Sequence, residues 1–237
     1  MQRDDSKNLE YFGSNIQFSA MAIEKFEDGI DKLIEEKGID FTGVRSAYIS
    51  ISMFAFDKIC AQYSRGDCID DINEVILKYV FYGIKSWDDT SGFEKLYNIL
   101  SLSVLVGIDN NLLSEIKSKI INNDVHDSIV DNMMNYLDSS WNIENKNAKY
   151  SVRYSRLNDV IEGKNSEEKH ALLLKYLEVW YELSSDSPWY DSHKSRHDKY
   201  NGYWCLEAGA IAKVLKIDDS DLRETKYYPY DLVHFVE

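Results

Sequence analysis

In YNGYWCLEAGAIAKVL, residues 200–215, a single carboxylate, Glu207, stands among Ala, Gly, Ile and Leu, and the loop before it carries His193, Lys194, Arg196 and His197. Two histidines four apart plus a carboxylate are a ligand set that could hold zinc or manganese and support a metal-dependent hydrolase. Glu207 with a histidine could also serve acid–base catalysis. Against the metal, Lys194 and Arg196 place two cations between the histidines, and no HExxH occurs. The third reading is structural. On a helix over 203–216, Trp204, Ala208, Ile211 and Leu215 form one stripe, and Tyr203, Glu207, Ala210 and Val214 form the adjacent one. Both stripes are apolar except for Glu207, so its carboxylate is expected inside, where it must be paired and hydrogen-bonded. The cationic loop residues supply the nearest donors, and tyrosine hydroxyls are further ones. We expect this buried strut, with no catalytic residue, no metal and no cofactor.

The acidic pairs are the next candidates: Asp4–Asp5, Asp88–Asp89, and Asp218–Asp219–Asp221. None has the spacing of a calcium loop with its central Gly and distal Glu. They suit solvated turns and helix N-caps, or carboxylates that meet Lys and Arg of a partner. No GxSxG, P-loop or GxGxxG is present, and nothing argues positively for an enzyme. Cys60, Cys68 and Cys205 are widely spaced without a CxxC, which suits reduced thiols in a cytoplasmic protein.

The elements that must position these groups are helices. Ile16, Ala20, Ile23, Phe26, Ile30 and Leu33 make one stripe on a long helix that Gly38 should end. SAYISISMFAFDKICAQY is apolar nearly all round and reads as a buried helix. A third helix follows Asp70, with Ile72, Val75, Ile76 and Tyr79 inward. GIKSWDDTSG, residues 83–92, is polar, Gly-bounded and hinge-like. Four helical patterns follow, the last of them YSVRYSRLNDVIEG, 150–163. Asn165 should then cap a helix with Glu168 as its capping-box partner, and Leu173, Leu177, Trp180 and Ser184 inward. A long irregular connection, the helix at 203–216, an acidic turn and the tail YYPYDLVHFVE finish the chain. No period of repeat length recurs. The expectation is an irregular all-α protein of about nine helices, in two helical subdomains packed together, 1–85 and 86–237.

Two prolines and eleven glycines in 237 residues are too few turn-formers for an all-β chain. The net charge of −14 disfavours direct binding to nucleic acid or to anionic membranes and favours a basic partner. The start is charged rather than signal-like, and the most apolar segments, 47–61 and 99–108, are too short or interrupted to span a bilayer.

The C-terminal third resembles the bacterial PoNi-type immunity proteins. The resemblance is carried in order by YLEVWYELSSDSPWYDSHKS (176–195), YNGYWCLEAGAIAKVLKIDDSDL (200–222) and YYPYDLV (227–233), and more weakly by the opening RDDSKNLEYFGSNI. Cys205 and Gly209 depart from the residues expected there, without consequence for the fold. The resemblance implies an all-helical cytoplasmic protein that binds and neutralises a nuclease toxin, often a DNase, delivered between competing bacteria. The partner would then be a basic toxin domain, with a helical adaptor without a toxin as the alternative. The motif residues Trp180, Tyr181, Trp189, His193, Gly202, Tyr203, Trp204, Glu207, Tyr228, Pro229 and Asp231 are expected to be structural. Toxin contacts are expected on exposed acidic and aromatic positions, namely Trp87, Asp88, Asp89, Asp218, Asp219 and Asp221.

Overall fold

The computed structural model describes residues 1–148 and 151–235. The protein is all-α, with no strand among the described residues. The start of the helical pattern at Tyr150 lies outside the described residues. Two compact units form. The first comprises Met1–Asp88 with the returning segment Asp191–Tyr203, and the second comprises Asp89–Tyr190 with Trp204–Glu237.

In the first unit, α1 (Leu9–Lys37), α2 (Thr42–Arg65) and α3 (Ile69–Ser86) pack in sequence order. Asn8 starts α1 by accepting the Tyr11 N–H at 2.8 Å. Gly38 stops it, with φ at +82° and its N–H returning to the Ile34 carbonyl. The expected inward residues of α3, Ile72, Val75, Ile76 and Tyr79, are all buried. Helix α2 buries one face through Val44, Ala47, Ile51, Ala55 and Ile59. It is buried all round only from Ile59 to Ser64, because Ile49 and Met53 face outward earlier in the helix.

The second unit holds α4 (Phe93–Val106), α5 (Asn110–Asn122), α6 (Ser128–Leu137), α7 (Ser151–Glu162), α8 (Ser166–Trp180), α9 (Leu206–Leu215) and α10 (Tyr230–Val233). Helix α4 is its centre. It is buried at Leu96, Tyr97 and every residue from Ile99 to Val106, and it packs against α6, α9 and α10. Asn165 caps α8 by accepting the Glu168 N–H at 2.9 Å, and Glu168 reaches back to the Lys164 N–H at 2.8 Å, one residue beyond the position a capping box uses. Leu173, Leu177, Trp180 and Ser184 are all buried, Ser184 in a 3₁₀ turn after the helix. Helix α9 starts at Leu206 rather than 203, because the Cys205 N–H donates to the Tyr227 carbonyl at 2.9 Å. Among the described residues, no helix is long and apolar enough to cross a membrane.

Candidate functional site

Glu207 lies in the first turn of α9 and is buried. Its Oε1 accepts the Trp180 indole N–H at 2.8 Å and the Tyr176 hydroxyl at 3.0 Å, both from α8. The expectation of a buried, satisfied carboxylate is met. A tyrosine hydroxyl is among the expected donors and the Trp180 indole is an addition; both come from α8. Burial, and then the Glu207 charge, push the Tyr176 hydroxyl well above its ordinary range, so it remains a donor. Among the described residues, no three His, Cys, Asp or Glu are grouped to hold a metal ion.

Arg153 of α7 is the buried cation of this region. Its guanidinium donates to Ser184 Oγ at 2.7 Å and to the Tyr154 hydroxyl, and its Nη2 lies 3.5 Å from Glu94 Oε2. Burial alone would lower its pKa, but Tyr154, Glu207 and Glu94 together raise it. Glu94 in turn accepts the Trp189 indole N–H at 2.7 Å. Around these charges the rings stack: Trp180 on Trp189 at 5.2 Å, and Tyr181 on Tyr190 at 4.6 Å and on Tyr227 at 5.6 Å. Sequence reasoning singled out neither Arg153 nor Tyr176. The signal was present, since Arg153 stands at an apolar position of a 4, 3 stripe with Leu157 and Val160, and Tyr176 lies between Leu173 and Trp180 on the inward face.

The C-terminal motif closes over α9. The Tyr228 hydroxyl donates to Asp219 Oδ2 at 2.6 Å, Pro229 precedes α10, and half-buried Asp231 lies 3.5 Å from Arg223. Trp204 is half-buried just before α9. Gly209 faces this closure. A Cβ there would stand 2.7 Å from Pro229 Cγ and 3.0 Å from Val233 Cγ2. The proline ring cannot swing away, so overpacking of about 1–3 kcal/mol should outweigh the roughly 1 kcal/mol that Ala gains over Gly in a helix. Gly209→Ala is therefore expected to lower stability by about 1 kcal/mol in urea unfolding. An unchanged or raised midpoint would show that α10 moves aside.

The motif residues of the first unit form a second cluster. Tyr203 is buried, and its hydroxyl meets His193 Nδ1 at 2.8 Å and the His193 N–H at 3.1 Å. Gly202 sits at φ +112°, a conformation that other residues rarely adopt. The backbone N–H of exposed His197 donates to Ser195 Oγ at 3.1 Å.

The acidic positions divide. Asp89, Asp218 and Asp221 are exposed, and Asp88 is half-buried. Asp88 pairs with Arg45 at 2.6 Å, and Asp221 pairs with His170 at 2.8 Å. The Ser220 hydroxyl and N–H hold the Asp218 carboxyl below its usual range. Trp87 and Asp219 correct the expected exposed set, since both are buried. Trp87 directly follows the buried last turn of α3 and is carried into the core with it. Asp219 is drawn in by two donors, the Tyr228 hydroxyl and His234 Nε2 at 2.9 Å.

These features describe an acidic all-helical protein whose signature residues bond and pack within their own unit, with several carboxylates on the outside. Two family models cover nearly the whole chain: the PoNe immunity protein (PoNi) N-terminal model over residues 3–118 and the PoNi C-terminal model over 125–232. The chain belongs to the PoNe immunity protein family. The crystal structure of protein PA2201 from Pseudomonas aeruginosa has the same fold, with a TM-score of 0.67 at 14% identity over 99% of this chain and 90% of that one. No match is found among curated proteins.

Proposed function

We propose that this protein is the cytoplasmic inhibitor of one nuclease toxin, a DNase, which it neutralises as a stoichiometric complex without catalysis of its own. The observation that carries this reading is membership of the immunity family through both halves of the chain. The net charge of −14 supports it. A nuclease must present a basic face to hold phosphates, and an acidic inhibitor is steered toward that face and competes with the nucleic acid for it. Asp88, Asp89, Asp218 and Asp221 are carboxylates that this reading places at or near the contact.

The test is co-expression with the toxin domain encoded beside this chain. Cells are expected to survive, and the two proteins to co-purify at a fixed ratio. Raising salt from about 0.05 to 0.5 M should slow association by roughly tenfold, with much less effect on dissociation. Survival without a complex would point to an indirect mode of protection and sink this reading.

A further inference from the structure

We propose that the outward face of α1 and α2 in the first unit is the apolar anchor of the toxin interface, a surface that rests on the reading of this chain as a nuclease inhibitor. Phe18 and Met21, one turn apart on α1, are 65% and 63% exposed, and Ile49 and Met53, one turn apart on α2, are 39% and 53% exposed. The Phe54 ring joins the two rows, with its centroid 5.9 Å from that of Phe18 and 6.2 Å from that of Phe26. Single exposed apolar residues are ordinary. Four on the outer faces of two packed helices, with the part-buried Phe54 ring between the rows, are of the kind that marks an interaction site. Phenylalanine and methionine are also types enriched in interface centres.

Two further observations say what fits there. The same pair of helices already seats a segment of chain at its other end. Asn15 of α1 donates to the Tyr200 carbonyl and to Asn201 Oδ1, both at 3.0 Å, and Ser64 of α2 donates to the Asn201 carbonyl at 2.9 Å. Residues 200–201 thus bridge the start of α1 and the end of α2, and the exposed apolar residues lie farther along both helices. The second observation is charge. Glu24 and Asp28 continue the exposed face of α1 beyond Met21, with Lys25 between them, and Asp88 pairs with Arg45 one turn before Ile49. Glu27 turns the other way, bound to Lys78 at 2.9 Å and to the Tyr82 hydroxyl at 3.1 Å. An apolar centre with carboxylates at its edge, on a chain of charge −14, suits a partner that presents an apolar patch beside a basic face. A nuclease domain has such a basic face.

The experiment titrates the purified toxin nuclease domain encoded beside this chain into the full-length protein, with light scattering of the protein alone. The double variant Phe18→Ser, Met53→Ser is expected to weaken binding by about 30-fold or more, the scale of losing hot-spot anchors. Its helicity should match the wild type and its unfolding midpoint should fall only slightly, because both side chains are largely exposed and Phe18 gives up one edge contact with Phe54. Met21→Lys should weaken binding more than Met21→Glu, since a basic partner repels the first. This single-site pair reads the same surface if the double variant folds poorly. A wild-type complex that the double variant and Met21→Lys leave unchanged overturns this surface while toxin neutralisation stands. No wild-type complex at all overturns both. A wild-type dimer that the double variant dissociates, with toxin affinity unchanged, makes the occupant a second copy and overturns the proposal.

Discussion

Glu207→Ala is expected to remove about 3–5 kcal/mol of stability, the usual cost of breaking a buried charge arrangement by deleting one member. The loss has three parts. The Trp180 N–H and the Tyr176 hydroxyl lose their shared acceptor, and each stranded buried donor costs on the order of 1–3 kcal/mol. Arg153 is buried in the field of Glu207, with half-exposed Glu94 as a second carboxylate neighbour, and loses the first. A cavity then opens at the first turn of α9, next to stacked Trp180 and Trp189. Glu207→Gln retains an acceptor oxygen of the same shape and should cost less, about 1–2 kcal/mol. At roughly 2–4 °C per kcal/mol for a chain of this size, the alanine variant should melt roughly 10 °C lower. Calorimetry of both variants checks this. Equal melting of Glu207→Ala and wild type would refute the strut.

The same residue shows how far local pattern reaches. Helical spacing alone put Glu207 on a packed face, because each neighbour at three and four residues is apolar. It could not name the partners, since Tyr176 and Trp180 lie 31 and 27 residues earlier, on another helix. Local spacing carries no information about which helices meet. The inward residues of α3 and α8 were legible for the same reason that Glu207 was. Trp87 and Asp219 were misread because composition speaks for a stretch rather than for one side chain. GIKSWDDTSG is polar, yet its tryptophan goes inside, and one of three neighbouring aspartates is buried because Tyr228 and His234 converge on it. The return of 191–203 to the first unit joins residues some 185 positions apart through Asn15 and Asn201. Nothing in the spacing of either segment announces that pairing.

That returning segment also sets the second large effect. Asp57 of α2 accepts a hydrogen bond from Asn201, and burial raises its carboxyl from the usual 3.8 to about 6, with the Asn201 bond opposing part of the rise. The native state therefore holds a proton that the unfolded chain has already lost between about pH 4 and pH 6. Stability from this group is fully present below about pH 4 and is lost as pH rises through 6. At pH 7 the ionised carboxylate stands desolvated, a penalty of up to about 3 kcal/mol for a rise of roughly two units. Asp57→Asn keeps the shape and an oxygen that can accept from Asn201, and it carries no charge to desolvate. The variant is expected to be more stable than wild type at pH 7 by up to about 3 kcal/mol, and equal to it near pH 3.5. Urea unfolding of both proteins across pH 3.5–7.5 measures the difference directly. A gap that is the same at every pH would assign the effect to packing, and a gap of opposite sign at pH 7 would mean that ionised Asp57 stabilises the first unit.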